Sequence, residues 1–294
     1  MPNPAKSLRL TSPAKLNVFL EILGKRDDGF HELETVMLRT SLCDLLQFQK
    51  AEDGEVTLNL ANADSVAVAN DFPLDDSNLI IRAAAALQQA TGTSHGVAVT
   101  IDKRIPTEAG LAGGSSNAAT TLLGLNRLWD LKLSTTALHA LATSLGSDVN
   151  FFMADCRAAV CRGRGERVEP ISIAGAFSFV VARPLVGNST PKVFAGVDLN
   201  ESTTTCELVV DALRKSCPAT LGELAFNRLT ESAQHLNPAM NELLHRMNLI
   251  CDRPAFMSGS GSTCFVIARS PREARRLLRQ LSCLDVAFLD VVHV

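Results

Sequence analysis

Residues 105–131, "IPTEAGLAGGSSNAATTLLGLNRLWDL", set Gly110, Gly113 and Gly114, then Ser115 and Ser116, directly ahead of an apolar-periodic run. Glycine loses much backbone entropy on folding, so a cluster of it demands a reason. A loop whose backbone approaches a ligand closely is one such reason. A helix opening behind the loop turns free N–H groups and the positive end of its dipole toward that ligand. Ser115 or Ser116 is the expected N-cap, and Ala118, Ala119, Leu122, Leu123 and Leu125 form the expected apolar side of the helix. The stretch reads as an anion cradle, phosphate being the commonest anion of that size. The competing reading is an ordinary flexible loop ending in a capped helix.

Three charged or titratable residues and a second loop add possible chemistry. "SGSGSTCF", residues 258–265, is another glycine-serine cluster. Alone it is a turn between strands, but a triphosphate needs donors from more than one side, and two such loops in one chain favour that use. Asp148, in "LGSDVNFF", follows a helix stop and precedes Phe151 and Phe152. A carboxylate beside aromatic packing is a candidate general base, and an isolated aspartate there is also a natural helix N-cap. Lys15 lies between Ala14 and Leu16 on an apolar strand. Such a lysine either finds an anionic partner or snorkels to the surface. His31 follows Phe30 at a turn, as a packed corner or as a pair able to sandwich and hydrogen-bond a planar base.

The elements that must carry these residues mix strands and helices without strict alternation, which predicts an α+β chain in two domains. "LRLTSPAKLNVFLEILGK", "ETVMLRTSL", "DLLQFQ" and "GEVTLNL" read as strands, with a turn at Asp28-Gly29. A helix is expected over "DSNLIIRAAAALQQATG", capped by Asp76 or Ser77 and stopped at Gly92. The strand "GVAVTIDKRI" leads into the glycine loop and its helix, and "STTALHALATSLG" forms a further helix stopped at Gly146. "AAVCRGRGERVEPI" reads as a strand opening the second half, with Arg162, Arg164 and Arg167 on a solvated hairpin. Beyond it come the strand "FSFVVARP", helices at "STPKVFAGVD", "ELVVDALRK" and "ELLHRMNLICD", and the strands of "AFMSGSGSTCFVIA" and "DVAFLDVVHV" flanking the helix "PREARRLLRQL". The join falls near residues 155–170.

Composition bounds the function. The apolar fraction of 46% and charged fraction of 20% are those of a globular soluble protein. The net charge of −3 argues against a nucleic-acid-binding surface. No apolar run approaches the ~20 residues that span a bilayer, and the opening "MPNPAKSLRL" lacks a secretory core. The eight cysteines are scattered without a Cys-x-x-Cys pair, so reduced thiols in a cytoplasmic protein are expected.

Taken together, the motifs resemble a family. "PTEAGLAGGSSNAA" resembles the phosphate-binding motif of the GHMP kinases, "SGSGSTCF" resembles their third motif, and "GSDVNFF" is similar to a catalytic-aspartate segment. "SPAKLNVFLEILGKRDDGFHELETVM" resembles the opening block of the member whose substrate carries a cytidine diphosphate. The matches run in order from residue 12 to residue 265.

The resemblance implies the two-domain GHMP kinase fold: residues 1–160 like domain 2 of ribosomal protein S5, residues 161–294 ferredoxin-like. It implies ATP with Mg²⁺ of unassigned ligands, a small cytidine-diphosphate substrate, and no nucleic-acid or membrane partner. Asp148 matches the base that takes the proton of the substrate hydroxyl, and Lys15 the lysine that pairs with it. Gly110, Leu111, Ala112, Gly113, Gly114, Ser115 and Ser116 match the holders of the ATP phosphates, with Asn78 and Lys103 near adenine and ribose. Asn17 matches a substrate-orienting residue. Phe30 and Phe194 match the two faces of a cytosine sandwich whose edge His31 reads, and Gly259 and Ser260 match further substrate contacts. Another GHMP kinase would not need the aromatic-histidine pair, and a non-catalytic nucleotide sensor would not need the Asp–Lys pair. Four positions depart from the pattern: Phe30 stands where tyrosine is usual, Glu108 and Ala112 where glycine is common, and Asn150 where proline is common.

Overall fold

The computed structural model describes residues 7–51, 54–61, 72–199 and 204–294. Along the chain the elements are β1 (Ser7–Lys25), β2 (His31–Ala51), β3 (Val56–Leu60), α1 (Leu79–Thr91), β4 (Gly96–Asp102), α2 (Gly113–Leu128), α3 (Thr135–Leu145) and α4 (Val149–Met153). There follow β5 (Ala158–Gly163), β6 (Arg167–Pro170), β7 (Ser178–Arg183), α5 (Thr190–Ala195), α6 (Glu207–Arg214), α7 (Pro218–Leu224) and β8 (Phe226–Asn227). The rest are α8 (Thr230–Leu236), α9 (Pro238–Cys251), β9 (Ala255–Met257), β10 (Cys264–Ala268), α10 (Pro271–Leu281) and β11 (Phe288–His293). The α+β class expected from the sequence is the one observed.

The chain forms two compact units, each discontinuous. The first comprises Met1–Ala14, Cys43–Thr107 and Ala112–Asp155, and the second Lys15–Leu42, Glu108–Leu111 and Cys156–Val294. The last crossing between them falls at Asp155–Cys156. Two segments from earlier in the chain, including the start of the glycine loop, fold with the second unit.

In the first unit, β4 pairs antiparallel with residues Leu45 to Ala51 of β2 and parallel with β3. Helices α1 and α2 pack against each other and carry the buried Ile80, Leu87, Leu122 and Leu125. Gly124 brings α2 down onto the sheet, since a Cβ there would stand 3.2 Å from the ring of the fully buried Phe48. Burying one such ring is worth about 1.5–3 kcal/mol. Leu123, expected on the apolar side, is exposed instead: it points away from Leu122 and Leu125 on the opposite face of the helix.

In the second unit, β2 pairs antiparallel with β5, β5 with β6, and β1 runs parallel to β8. A four-stranded antiparallel sheet has the order β11-β7-β10-β9. Val180, Val266, Met247, Leu277 and Leu281 share its core with α9 and α10.

Several local expectations are corrected by tertiary contacts. "ETVMLRTSL" and "DLLQFQ" belong to one continuous strand, β2, because its two ends find separate partners in β5 and β4. "AAVCRGRGERVEPI" is two strands, since Gly163 and Gly165 take positive φ and turn β5 back onto β6. The expected hairpin forms, and two of its arginines take ion-pair partners: Arg162 meets Glu34 and Glu169, and Arg167 meets Glu32. Helix α1 is capped by Asn78, whose Oδ1 accepts from the Ile80 N–H at 2.9 Å, while Asp75, Asp76 and Ser77 form the turn before it. Gly92 ends it in the left-handed conformation, as expected.

Candidate active site

The first unit supplies the glycine-opened helix. The expected cap at Ser115 or Ser116 does not form. Helix α2 starts at Gly113, and Ala112 occupies the N-cap position at φ 55° with no capping side chain. The reason is tertiary: Ser12 Oγ donates to Ser116 Oγ at 2.8 Å and to Asn117 Oδ1 at 2.7 Å, holding the serine inside the first turn and burying it. Ser116 N–H donates to Ala112 O at 3.0 Å and opens the helical ladder. The N–H groups of Gly113, Gly114 and Ser115 precede that ladder, which makes this end a seat for an anion.

Beneath the seat lies a buried ion pair. Lys103 Nζ is 2.8 Å from Asp44 Oδ2, and both side chains are almost wholly inaccessible. Asp44 Oδ1 also accepts from the N–H groups of Arg104, at 2.7 Å, and Ile105, at 2.8 Å. Burial pulls the Lys103 ammonium below the ordinary lysine range while Asp44 opposes that pull. Gly113 packs on this corner: a Cβ there would stand 3.0 Å from Ile105 Cγ2 and 3.3 Å from Lys103 Nζ. Asp44 escaped the sequence reading, although an acid in the apolar "CDLLQF" raises the same question as Lys15 does.

Asp148 stands at the N-cap position of α4 and is half-buried, yet its side chain makes no capping hydrogen bond. The cap reading of this residue therefore fails. Ser115 Oγ lies 3.9 Å from where a Cβ on Gly146 would stand, so the glycine-loop helix and the loop carrying Asp148 adjoin within the unit. Asn150 is buried and donates to Thr143 Oγ1 at 2.7 Å, with Oδ1 2.8 Å from His139 Nδ1. The amide ties α4 to α3, which gives the departure from proline a structural role.

In the second unit Lys15 is 3% exposed and its ammonium donates to Asn17 Oδ1 and, at 2.7 Å, to Gly110 O. It does not snorkel. Asn17 Nδ2 donates to Thr35 Oγ1 at 2.8 Å, and the Asn17 N–H to Ser258 Oγ at 3.2 Å. Ser258 Oγ in turn donates to Gly110 O at 3.0 Å, and Lys15 N–H donates to Leu111 O at 3.1 Å. The start of the first glycine loop and the whole of the second thus close around one lysine.

Gly110 has no substitute in that packing. It has φ +72°, and a Cβ would fall 2.1 Å from Ser258 O. Gly259, at φ +57°, would place a Cβ 2.9 Å from Lys15 Nζ. Ser260 Oγ is 2.7 Å from Thr190 Oγ1. Glu108 takes φ 51° and Ala112 φ 55°, left-handed conformations that account for glycine being common at both positions. The exposed Glu108 side chain lies against Gly187, and its charge favours the cation of Arg183, which burial disfavours.

The aromatic residues occupy the same unit. His31 and Phe194 have ring centroids 5.4 Å apart at 34°. Burial, then the charge of Lys25, hold the His31 imidazole below its ordinary range, which favours the neutral form with its one donor and one acceptor. Phe30 is exposed, with the Arg164 guanidinium 4.5 Å from its ring centroid.

None of the eight cysteines, all among the described residues, is in a disulfide, and no described helix is long and apolar enough to cross a membrane. Family models for the GHMP kinases N terminal domain and the GHMP kinases C terminal match residues 78–163 and 209–285. A 4-diphosphocytidyl-2-C-methyl-D-erythritol kinase of Polaromonas sp. is 39% identical, over 87% of this chain and 82% of its own length. That of Alkaliphilus metalliredigens is 36% identical, over 95% and 94%. A crystal structure of 4-(cytidine 5'-diphospho)-2C-methyl-D-erythritol kinase superposes with TM-score 0.79 at 33% identity, covering 97% of this chain and 99% of that one. Homoserine kinase from Cytophaga hutchinsonii shares the fold at TM-score 0.73 and 14% identity, over 100% and 96%. The chain belongs to the GHMP kinases, and among them to the 4-diphosphocytidyl-2-C-methyl-D-erythritol kinase family.

Proposed function

We propose that this chain transfers the γ-phosphoryl group of ATP to the 2-hydroxyl of 4-diphosphocytidyl-2-C-methyl-D-erythritol, in the non-mevalonate route to isoprenoid precursors. The observation that carries the kinase reading is the N-terminus of α2, glycine-opened and without a capping side chain. The cytidine substrate follows from the named relatives, supported by His31 beside Phe194.

Phosphoryl transfer asks the protein mainly for positioning and charge compensation. In this reading the backbone of Gly110, Leu111, Ala112, Gly113 and Gly114, with Ser115 and Ser116, holds the phosphates. Mg²⁺ accompanies ATP and neutralises phosphate charge. Among the described residues no three His, Cys, Asp or Glu side chains cluster, and an ion bound largely by phosphate oxygens and water does not require such a cluster. Asp148 accepts the proton of the attacking hydroxyl, and Lys15 supplies positive charge to the transfer. Asn17, Gly259 and Ser260 orient the substrate. Phe30 and Phe194 stack on cytosine while His31 reads its edge. The side chains of Asn78 and Lys103 are engaged by Pro73, Ile80 and Asp44, so their part beside adenine and ribose is to shape the seat. Cysteines without disulfides suit a reducing compartment, the cytoplasm.

The test offers ATP with the cytidine diphosphate substrate, mevalonate or homoserine in parallel and follows ADP release. Turnover with the cytidine compound alone supports the proposal. Turnover with mevalonate or homoserine, or none with the cytidine compound, overturns it.

A further inference from the structure

The second glycine loop, residues 258–262, is held from within and from outside. Within it the Ser258 N–H donates to Thr263 O at 3.0 Å and the Gly261 N–H to Ser258 O at 2.9 Å. Three carbonyls, those of Met257, Gly259 and Ser260, are gripped from outside by two buried amides. Asn227 Nδ2 donates to Met257 O and Gly259 O, both at 2.8 Å, and its Oδ1 accepts from the Leu229 N–H at 3.0 Å. Asn188 Nδ2 donates to Ser260 O at 2.8 Å, and its Oδ1 accepts from Asn237 Nδ2 at 2.7 Å. Both side chains of this pair are buried, and each carries its hydrogen bonds on one rigid plane.

We infer that Asn227, seconded by Asn188, is a positioning residue for Lys15: its amide sets the loop so that Gly259 leaves room for the ammonium. The strand pairing supports this. Strand β8, which carries Asn227, pairs in parallel with Phe19 and Leu20 of β1, and the Arg228 N–H donates to Leu20 O at 2.8 Å. The strand that presents Lys15 and Asn17 therefore also registers the amide that shapes the loop against them. An aspartate at position 227 keeps the acceptor for Leu229 and loses both donors, setting an anion against two carbonyls. An alanine leaves the carbonyls without a donor.

The inference rests on the proposed catalytic part of Lys15, and the experiment separates the two. Asn227→Asp, Asn227→Ala, Asn188→Ala and Lys15→Met, singly and with Asn227→Ala combined with Lys15→Met, are assayed in the full chain for kcat and for KM of both substrates. Ser270→Ala, which removes the N-cap of α10, serves as a control for stability loss alone. A displacement of about 1 Å at a reacting group costs on the order of 100-fold. The expected result is a kcat ~10- to 100-fold lower in the Asn227 variants, with KM for ATP little changed and the folded fraction confirmed by thermal melting. The double variant should be no slower than Lys15→Met alone, because the effect of Asn227 runs through that lysine. If Lys15→Met is slow but the Asn227 loss adds to it in full, or if the Asn227 and Asn188 variants merely melt earlier like Ser270→Ala, the positioning role is overturned. If Lys15→Met turns over at the wild-type rate, the catalytic reading of Lys15 fails and takes this inference with it.

Discussion

Replacing Gly259 by alanine perturbs the site through one methyl group, and its consequence can be worked from the structure. Gly259 has φ +57°, where an L-residue is strained by roughly 1–2 kcal/mol. The new Cβ would stand 2.9 Å from Lys15 Nζ, 3.2 Å from Gly110 O and 3.3 Å from Asn17 Oδ1. Gly110 O is fixed, since it accepts from Ser258 Oγ at 3.0 Å and from Lys15 at 2.7 Å. The group that yields is the ammonium at the end of a flexible side chain. Moving it weakens hydrogen bonds from a charged donor, each worth about 1.5–3 kcal/mol.

Gly92→Ala is the matched control: it has φ +68° at the end of α1 and nothing within 4 Å of the added methyl. Thermal or urea unfolding should show Gly92→Ala destabilised by about 1–2 kcal/mol with kcat retained. Gly259→Ala should lose more stability than the control and on the order of 100-fold in kcat, since a small misplacement suffices. Should Gly259→Ala match Gly92→Ala in both measurements, the contact between this loop and Lys15 has no bearing on turnover, and the argument for the lysine's placement fails.

Asp148→Asn should fold normally and lose ~10²–10⁴-fold in kcat, because the amide cannot accept the proton; near-normal turnover in single-turnover kinetics would remove the base from the mechanism. Asp44→Ala leaves the Lys103 ammonium buried without its counter-charge and should destabilise by about 3–5 kcal/mol in urea unfolding, whereas loss within the surface range would mean that water replaces the carboxylate. Ala112→Gly relieves a left-handed residue worth roughly 1–2 kcal/mol against a glycine entropy cost of roughly 0.5–1 kcal/mol, so a small rise in melting temperature is expected and a fall refutes the strain. Burial alone would raise the Glu21 carboxyl, but the Arg228 guanidinium and the N–H groups of Thr204 and Ile22 outweigh it and hold it below its ordinary 4.5. Its contribution to stability is full above that value and is lost as pH falls through the depressed one, so Glu21→Gln should flatten the acid limb of stability against pH. An unchanged limb would show the carboxylate to be unperturbed.

Much of the chain was legible where the signal is local. Gly92 and Gly146 stop helices because a glycine at a helix end is read within its own turn. The β9–β10 hairpin likewise follows from nearby composition. The glycine-serine loops and Asp148 were visible as residue types in order, enough to recognise a phosphate-handling chain and its family. Partners were not legible, because they are set by close packing between segments far apart in sequence. Ser116 lies inside its helix and not at its cap because Ser12, 104 residues away, captures its hydroxyl. Lys103 is held by Asp44 across 59 residues, and Asn17 meets Ser258 across 241. The need for Gly110 likewise comes from the approach of Ser258 O, a backbone atom that only the folded chain brings near. Residue type decided what chemistry was available, and tertiary packing decided which groups remain free to perform it, since a buried donor or acceptor must find its partner wherever the fold supplies one.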